Sequence, residues 1–543
     1  MKMNKSKLIL SVSVLGWVLI AFILFGTSRA DAANDANNEN IYKKMRLFTE
    51  VFSKVKDNYV EELTVDELID SAIKGMLDEA DPHTVFFKPD DFEKFTTSTQ
   101  GEFGGLGISI DKKGDYITVV SPIEGTPAYR MGIHAGDKIS KVDGKSVVGM
   151  ETDESIKLMR GKPGTKVVIS IIRPGVEGEM EFEIVRDIIK IDSVPYAFVT
   201  DNNVGYIRIR QFNKNTTTEL REALAEVESE NIKGLLIDLR ANPGGLLSEA
   251  VNAVNEFIGK GKRVVFTKGR AYGTNEEYFT RYETKDREYP IVILVNEASA
   301  SASEIFAGSM QDYDKGLVVG KTTFGKGSVQ RLFPLSDGNG IKITTAKYYI
   351  NSGRCIHKDI NDKLYKDPRV LSGEMTLEEI RKLQEEAVEK SRDHVYHTIS
   401  GRVVYGGGGI NPDLEIEQSR LTDFGVELRR NNTFFNFTVD YMKDHEAEVT
   451  EDFVADEKLM DDFFDYVKKQ DIEFTEAEID SVFDWVKTSI ESGVIEKKFG
   501  IEAGYKRGIE QDTQLQEALA IFDKFDNLED MFEYSSQMQN NKK

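Results

Sequence analysis

PIVILVNEASASASEIFAGSMQDY, residues 290–313, runs from an apolar strand through a loop of small residues into a helix. The pattern predicts the strand over 291–295 and the helix over 301–313. In α/β sheets, ligands bind at the carboxyl ends of strands, which is where this loop lies. The free N–H groups and the positive dipole end of a helix start also suit a developing oxyanion. The serines that alternate with alanine in the loop are Ser299, Ser301 and Ser303.

One of these serines is a candidate nucleophile; the alternative is a helix-capping serine among packing alanines, which explains one serine but not three. A nucleophilic hydroxyl needs a base, and Lys326 stands in the Gly-flanked loop TTFGKGSVQ, residues 322–330. A lysine in a desolvated pocket has a lowered pKa and can accept a proton, although a lysine between glycines is commonly part of a surface turn. A Ser-His-Asp hydrolase would require a distant histidine, such as His357 or His397, at the site.

A second loop with chemical potential lies in the surrounding α/β pattern. Strands and helices alternate from Val204 onward, which predicts a largely parallel sheet. In IDLRANPGGLL, residues 237–247, two glycines stand between a strand and a helix. Because glycine leaves backbone N–H groups unhindered, this loop can hold an oxyanion or another anion. It lacks the lysine and the Ser/Thr of a P-loop.

The composition excludes several classes of function. A formal net charge of −23 argues against nucleic-acid binding, because an acidic surface repels phosphates. The single cysteine, Cys355, rules out an intrachain disulfide and a cysteine-based metal site. The six histidines are scattered without metal-binding spacing, so no metal and no cofactor are expected.

The N-terminus has the composition of an export signal. Three lysines precede an apolar run from Leu8 to Phe25, which is close to the minimum length that spans a bilayer. We expect residues 1–26 to be a retained anchor, although Ala30 to Ala32 offers a cleavage site. The positive charges place this end in the cytoplasm and the rest of the chain in the cell envelope, on the periplasmic or extracytoplasmic side of the inner membrane. Residues 27–40 are small and polar, as in a linker.

The longer motifs resemble a known family. The S-A-S-A-S-E run followed by G-K-T-T-F-G-K-G-S-V-Q is similar to the active-site region of the carboxyl-terminal processing peptidases, also called tail-specific proteases. The resemblance implies that Ser301 is the nucleophile and that Lys326 is the general base. It also implies that Gln330 hydrogen-bonds and orients the lysine and that Asp312 supports the site. From the glycine motif it implies an oxyanion hole formed by the amide of Ala302 and by that of one of two glycines, Gly244 or Gly245.

The β-rich residues 101–190 resemble a PDZ domain. Their GGLGISI motif, residues 104–110, matches the loop and strand that bind a terminal carboxylate. The bound tail would then add as a strand beside 107–110, with apolar side chains in a pocket. The residues implied in peptide binding are Gly104, Gly105, Leu106, Gly107, Ile108, Ile110, Ile156 and Met159.

The predicted architecture is multidomain α/β. A ClpP/crotonase-like α/β protease core carries an inserted PDZ domain, an N-terminal helical segment and a C-terminal all-α region. The expected boundaries are 1–26 for the signal or anchor, 27–40 for the linker, 41–100 for the helical domain, 101–190 for PDZ, 191–415 for the protease and 416–543 for the C-terminal helices.

The predicted activity is a serine endopeptidase with a Ser-Lys dyad that selects protein tails with apolar C-termini. The rival is an inert PDZ scaffold that recruits partner proteins. The apolar stripes of the helical N-terminal segment and of the C-terminal region also suggest a homo-oligomer. In the N-terminal segment, a capping box is predicted from Thr64 to Glu67, and the apolar residues with helical spacing are Leu47, Val51, Val55 and Tyr59.

Overall fold

The computed structural model describes residues 40–419, 421–470 and 472–541. The chain divides after Asp81 into two compact units. The first unit contains helix α1, which includes residues 40–58, and helix α2 (Val65–Asp78). The predicted capping box is confirmed: the Thr64 N–H donates to Glu67 Oε2 at 2.8 Å, and the Glu67 N–H donates to Thr64 Oγ1 at 3.2 Å.

The expected signal or anchor lies outside the described residues. Within the ranges given above, no helix is both long and apolar enough to cross a membrane.

The second unit begins with a β-rich part in which β3 is an edge strand. Strands β3, β4, β5, β7 and β8 form one sheet in that order, with β6 on β5, while β2 pairs with β9. Helix α5 packs against β3 and β5. The elements of this part are β1 (Val85–Phe87), α3 (Pro89–Gln100), β2 (Glu102–Gly105), β3 (Ile108–Lys113), β4 (Tyr116–Pro122), α4 (Pro127–Arg130), β5 (Lys138–Val142), β6 (Lys145–Ser146), α5 (Thr152–Met159), β7 (Lys166–Ile172), β8 (Met180–Val185) and β9 (Asp187–Lys190).

The central part of the unit contains the predicted α/β layer. Six strands are ordered β10-β11-β12-β15-β16-β21, and every pair is parallel except β10 with β11. The elements are β10 (Tyr196–Val199), β11 (Val204–Arg208), α6 (Thr216–Glu228), β12 (Gly234–Asp238), α7 (Leu247–Asn255), β13 (Arg263–Lys268), β14 (Glu277–Phe279), β15 (Ile291–Val295), α8 (Ala302–Asp312), β16 (Leu317–Gly320), β17 (Ser328–Pro334), β18 (Gly340–Ile350), α9 (Asp359–Tyr365), α10 (Pro368–Leu371), α11 (Leu377–Ser391), β19 (Val395–His397), β20 (Val403–Tyr405) and β21 (Leu414–Glu415).

A second sheet contains one strand that the sequence analysis missed. Its strands are ordered β1-β18-β13-β14, with β17 also paired to β18. The expectation that 41–100 contains only helices is therefore wrong at β1, where residues 85–87 pair antiparallel with residues 340–342. Val85 to Phe87 are three consecutive residues that favour β-structure. Their partner strand lies more than two hundred residues away, and local periodicity does not identify such a distant partner.

The last part of the chain is helical, as predicted. Its helices are α12 (Asp423–Arg430), α13 (Thr433–His445), α14 (Glu457–Lys468), α15 (Glu476–Phe499), α16 (Ile501–Gly508), α17 (Thr513–Leu519) and α18 (Leu528–Asn541). The first four share a core of their own, which includes Leu428, Phe463 and Val486.

The C-terminal end of this region also completes the protease sheet. Side chains of one face of the parallel sheet, such as Ile237 and Ile293, pack with helices α6, α7 and α8. Side chains of the other face, such as Leu236 and Val292, pack with Phe522 and other apolar residues of 509–531. A parallel sheet must be covered on both faces, so the core of the α/β layer extends well beyond residue 415.

Phe522 provides a test of this packing. It is 2% exposed, and its ring lies so close to Gly234 in β12 that a Cβ there would approach it to 2.3 Å. Phe522→Ala is expected to lower the free energy of unfolding by about 3–5 kcal/mol, since it opens a cavity against the sheet. Phe483→Ala, at a phenylalanine 38% exposed in the same region, should cost less than about 1 kcal/mol. Equal denaturation midpoints for the two variants would contradict the packing.

Candidate active site

Ser301 stands at the sharp turn between β15 and α8. Its backbone adopts φ 56° and ψ −112°, a combination that costs on the order of 1–3 kcal/mol for a residue with a Cβ. Strain of this kind persists only where the surroundings hold it, and the Ser301 N–H donates to Glu304 Oε2 at 2.7 Å. Ala302 follows as the first helical residue, so its N–H has no acceptor within the helix. The turn therefore sets the serine beside a backbone donor.

The carboxylate of Glu304 joins the serine turn, the residues around Ser301 between β15 and α8, to the lysine loop, residues 321–327 between β16 and β17. Its Oε2 accepts hydrogen bonds from the N–H of Ser301 at 2.7 Å and of Lys326 at 2.9 Å. Its Oε1 accepts from Thr323 Oγ1 at 2.6 Å and from the Gly325 N–H at 2.7 Å. The side chain is fully buried, which raises the pKa of Glu304, and these four hydrogen bonds oppose the shift. All four groups donate, so the arrangement suits the ionised carboxylate.

The hydroxyl of Tyr348 makes a second bridge between the same two residues. It donates to the carbonyl oxygens of Ser301 at 3.0 Å and of Lys326 at 2.6 Å. Tyr348 lies on β18 and is 1% exposed, and burial raises the pKa of its hydroxyl well above the usual value. It therefore stays protonated and able to donate. The backbones of Ser301 and Lys326 are thus joined on their N–H and carbonyl sides by two different side chains.

A second lysine lies near the site. The Lys358 side chain is 7% exposed, and its Nζ is 3.4 Å from the carbonyl oxygen of Thr323. Burial lowers the pKa of Lys358, while Glu304 and Glu297 oppose that shift. A buried lysine with a lowered pKa is a possible proton acceptor, so Lys358 is the natural comparison for Lys326 in any test of the base.

Gln330 lies on β17 where the pairing with β18 shifts register. The irregularity falls between Val329 and Gln330, and such a bulge redirects the side chain that follows it. The Gln330 amide nitrogen donates to Ser328 Oγ at 2.9 Å, to the Ser328 carbonyl at 3.2 Å and to Thr344 Oγ1 at 3.3 Å. Its predicted role in orienting Lys326 stays a prediction.

The glycine loop, residues 239–245, lies directly against the serine turn. A Cβ at Gly244 (φ 95°) would approach Ser301 Cβ to 2.7 Å and the Ala302 nitrogen to 2.8 Å. Only glycine permits this proximity. The Gly244 N–H donates to Asn242 Oδ1 at 2.9 Å. That amide is therefore already used inside the loop, which favours Gly245 as the glycine that can donate to a substrate.

Asp312 lies at the opposite end of α8 from Ser301. It ends α8, so the rise of a helix places its Cα about 16 Å from that of Ser301. Its Oδ1 is 2.9 Å from Arg354 Nη2, and its Oδ2 accepts from the Ser352 N–H at 2.7 Å. Both charged side chains are fully buried. This ion pair ties the end of α8 to the segment that follows β18, which agrees with a structural role.

The two histidines considered as bases differ in position. His357 is 6% exposed, its Nε2 lies 3.6 Å from Asp359 Oδ1, and its backbone nitrogen would be 2.6 Å from a Cβ at Gly327. His397 is exposed on β19, in a separate two-stranded sheet. His357 is thus near the lysine loop, and it remains a residue to exclude by mutation.

The PDZ residues fall into two groups. Gly104 and Gly105 belong to β2 and pair with β9, whereas Leu106 and Gly107 form the connection to β3. The carbonyls of that connection accept hydrogen bonds from the N–H groups of Ala128 at 2.9 Å and Ile123 at 2.8 Å. The second group contributes side chains. Ile108, Ile110 and, on α5, Ile156 are half-buried, whereas Leu106 and Met159 are buried in the domain core.

Sequence reasoning missed three residues of this site. Glu304 had a visible signal, because S-A-S-E has the S-x-x-E spacing of a capping box, and its contacts with the lysine loop extend that pattern. Tyr348 and Lys358 had no local signal, since β18 and the segment after it reach the serine turn only through the fold.

Four family models match the chain. Peptidase family S41 matches residues 203–364 and the PDZ domain matches residues 95–172. The model described as Activating protease CtpB N-terminal domain matches 25–90, and the one described as Probable PDZ-protease, C-terminal helical domain, matches 424–478.

Individual relatives agree with these matches. The chain is 40% identical over 331 residues to the carboxy-terminal-processing protease of Bartonella bacilliformis, covering 60% of this chain and 76% of that protein. It is 36% identical over 353 residues to the carboxy-terminal processing protease CtpA of Bacillus subtilis, covering 65% and 75%. Among solved structures, the photosystem II D1 C-terminal processing protease is 28% identical and covers 57% of this chain and 90% of its own, with a TM-score of 0.33. The chain therefore belongs to the carboxyl-terminal processing peptidases, serine proteases of peptidase family S41 that carry a PDZ domain.

Proposed function

We propose that this protease is an endopeptidase that hydrolyses peptide bonds through an acyl-enzyme, with Ser301 as nucleophile and Lys326 as general base. The observation that carries the proposal is the double bridge, in which Glu304 and Tyr348 each contact the backbones of both residues. A nucleophile and its base must keep a fixed separation for proton transfer. Two buried bridges of this kind provide that constraint.

The mechanism begins when neutral Lys326 takes the hydroxyl proton as Ser301 attacks the carbonyl carbon. The oxyanion receives hydrogen bonds from the N–H of Ala302 and from that of Gly245, chosen over Gly244 because the Gly244 N–H is bonded to Asn242 Oδ1. The protonated lysine then gives its proton to the leaving amine, and the peptide bond breaks. Water, deprotonated by the same lysine, attacks the carbonyl carbon of the acyl-enzyme. The ester bond to Ser301 then breaks, the lysine returns the proton to Ser301 Oγ, and the second product leaves.

The PDZ domain selects the substrate by its tail. The edge strand β3 has β4 on one side only, so an extended peptide can add on its other side, near α5. Ile108, Ile110 and Ile156 are each half-buried there and suit apolar side chains. The connection formed by Leu106 and Gly107 would receive the terminal carboxylate. We therefore expect substrates with apolar C-termini.

The N-terminal sequence supports an extracytoplasmic location. The basic and apolar character of residues 1–26 is the basis for an anchor in the cytoplasmic membrane, with exported proteins as the substrates. Export is tested by fusing alkaline phosphatase after residue 40. An active fusion supports export of the chain, and an inactive fusion opposes it.

The exposed stripe of α1 supports self-association. Apolar residues spaced alternately three and four apart form the seam of a coiled coil, and a second copy of α1 is the partner that this spacing fits. Within the stripe, Phe48 is 42% exposed. On α1 its members are the exposed Ile41, Met45, Phe48 and Val55 and the half-buried Phe52, and the exposed Tyr59 follows directly after the helix.

The dyad is tested by hydrolysis of an unfolded protein that ends in apolar residues, using the chain without residues 1–34. Ser301→Ala should abolish cleavage, and Lys326→Ala should lower kcat by about 10²–10⁴-fold. The rate of the parent should rise from pH 6 to pH 10, because the base acts only when it is neutral.

Lys358→Met is the matched control and should keep most of the activity. Cleavage lost in Lys358→Met but kept in Lys326→Ala would move the base to Lys358. A parent with a flat pH profile, or a His357→Ala variant without activity, would contradict the Ser-Lys assignment. A folded parent that binds apolar tails but cleaves none of them would favour the inert scaffold.

Self-association is tested with Phe48→Glu, which places a charge in the stripe and should dissociate the oligomer in analytical ultracentrifugation. Ser53→Glu adds the same charge outside the stripe and should leave the sedimentation coefficient unchanged. Monomeric parent protein at micromolar concentration would refute the proposal.

A further inference from the structure

The end of the C-terminal region reaches the strand that leads into the glycine loop. The guanidinium of Arg240, a residue of that loop, lies between the carboxylates of Asp238 and Asp512. Its Nη2 is 2.7 Å from Asp238 Oδ2, while Nη1 and Nη2 donate to Asp512 Oδ1 at 2.9 Å and Oδ2 at 2.7 Å. The two-pronged contact with Asp512 fixes the orientation of the guanidinium plane as well as its position.

The surrounding cluster is balanced in charge and ranges from the fully buried Asp238 to Asp512, whose side chain is 27% exposed. Asp238 is fully buried and also accepts from Arg208 Nη1 at 3.1 Å and from the hydroxyl of Tyr206 at 2.9 Å. Burial raises the pKa of Asp238. The nearby charges of Arg240 and Arg208 lower it by more, so that the pKa of Asp238 lies below the usual value. Asp512 is the second carboxylate against two arginines. Without it, two cationic side chains would share the single carboxylate of Asp238, and an excess of charge in a largely buried cluster is costly.

The two residues that follow Arg240 in the chain are hydrogen-bonded to the segment around the serine turn. The next residue, Ala241, has φ 56°, and its N–H donates to Asn296 Oδ1 at 2.9 Å. The Asn242 carbonyl then accepts from the Ala300 N–H at 2.9 Å and from Ser303 Oγ at 3.0 Å. Together with the Gly244 contact described above, these bonds define the path of the glycine loop past the nucleophile.

We propose that Asp512 is a positioning residue for catalysis: by holding Arg240, it keeps the glycine loop where its N–H meets the oxyanion. The inference rests on the proposed function and extends it to a residue that lies beyond residues 203–364 and 424–478, where the peptidase and C-terminal helical models match. It gives the C-terminal region a part in the reaction in addition to covering the sheet. Asp512 itself does not touch the substrate.

The variant Asp512→Asn keeps the shape of the side chain but removes its charge. The Arg240 guanidinium then keeps Asp238 but loses the second of its two ionic partners, and we expect the loop to sample displaced positions. Misplacement of an oxyanion donor by about 1 Å costs on the order of 10²-fold, so kcat should fall by about ten- to a hundred-fold with KM little changed. Asp512→Glu, which restores the charge, should recover part of the loss.

Asp523→Asn is the matched control. Asp523 belongs to the same region and pairs with Lys233 at 2.7 Å, but both side chains are well exposed and neither contacts the glycine loop. This variant should keep the parent values of kcat and KM. Thermal midpoints of all variants are measured alongside, so that loss of folded protein is not mistaken for loss of catalysis.

Three further readouts separate positioning from stability. A peptide aldehyde, which forms a tetrahedral adduct, should bind Asp512→Asn more weakly by the same factor as kcat falls. Binding of the corresponding peptide to Ser301→Ala should not change when Asp512→Asn is added. Amide hydrogen exchange of residues 239–246 should be faster in Asp512→Asn than in Asp523→Asn.

The outcomes are distinct. Unchanged kcat, or unchanged aldehyde affinity and unchanged hydrogen exchange, would overturn the role of Asp512. Since hydrogen exchange does not require activity, it tests the link to the loop even if Ser301→Ala were to keep activity and the proposed function were to fail.

Discussion

The site depends on one buried carboxylate. Glu304 receives four hydrogen bonds, one from the N–H of Ser301 and three from the loop between β16 and β17, among them the N–H of Lys326. A carboxylate in a low-dielectric interior is costly unless its lone pairs are satisfied, so the loop that carries Lys326 must close on it. The requirement to satisfy Glu304 therefore also fixes the lysine relative to the serine.

Around this centre, the parallel sheet brings its loops to one edge. The glycine loop follows β12 and the serine turn follows β15, its neighbour in the sheet, while the lysine loop follows β16, the next strand. Three loops at the carboxyl ends of adjacent parallel strands necessarily lie together. The positions of these three loops relative to one another are then set by Glu304, by Tyr348 from the second sheet and by the hydrogen bonds of Asn242. The sheet supplies proximity, and the buried polar contacts supply geometry.

Much of this arrangement could be predicted from the sequence, because the decisive signals are local. Apolar strands that end in small-residue loops indicated the α/β layer, and the spacing from Ser301 to Lys326 fitted a known motif. Contacts between distant segments gave no such signal. The pairing of β1 with β18 and the packing of residue 522 on Gly234 depend on which apolar surfaces meet, and periodicity does not specify the partner. That the N–H of Gly244 is bonded inside the loop depends on the position of one amide side chain, that of Asn242.

The most direct measurement of the central claim is the reaction of the protein with a fluorophosphonate, mapped by mass spectrometry and followed as a function of pH. We expect one label, on Ser301, that forms faster as pH rises and much more slowly in Lys326→Ala than in the parent. A label on another residue, or equal labelling rates in the parent and in Lys326→Ala, would contradict the assignment of Ser301 and Lys326 as the reacting pair.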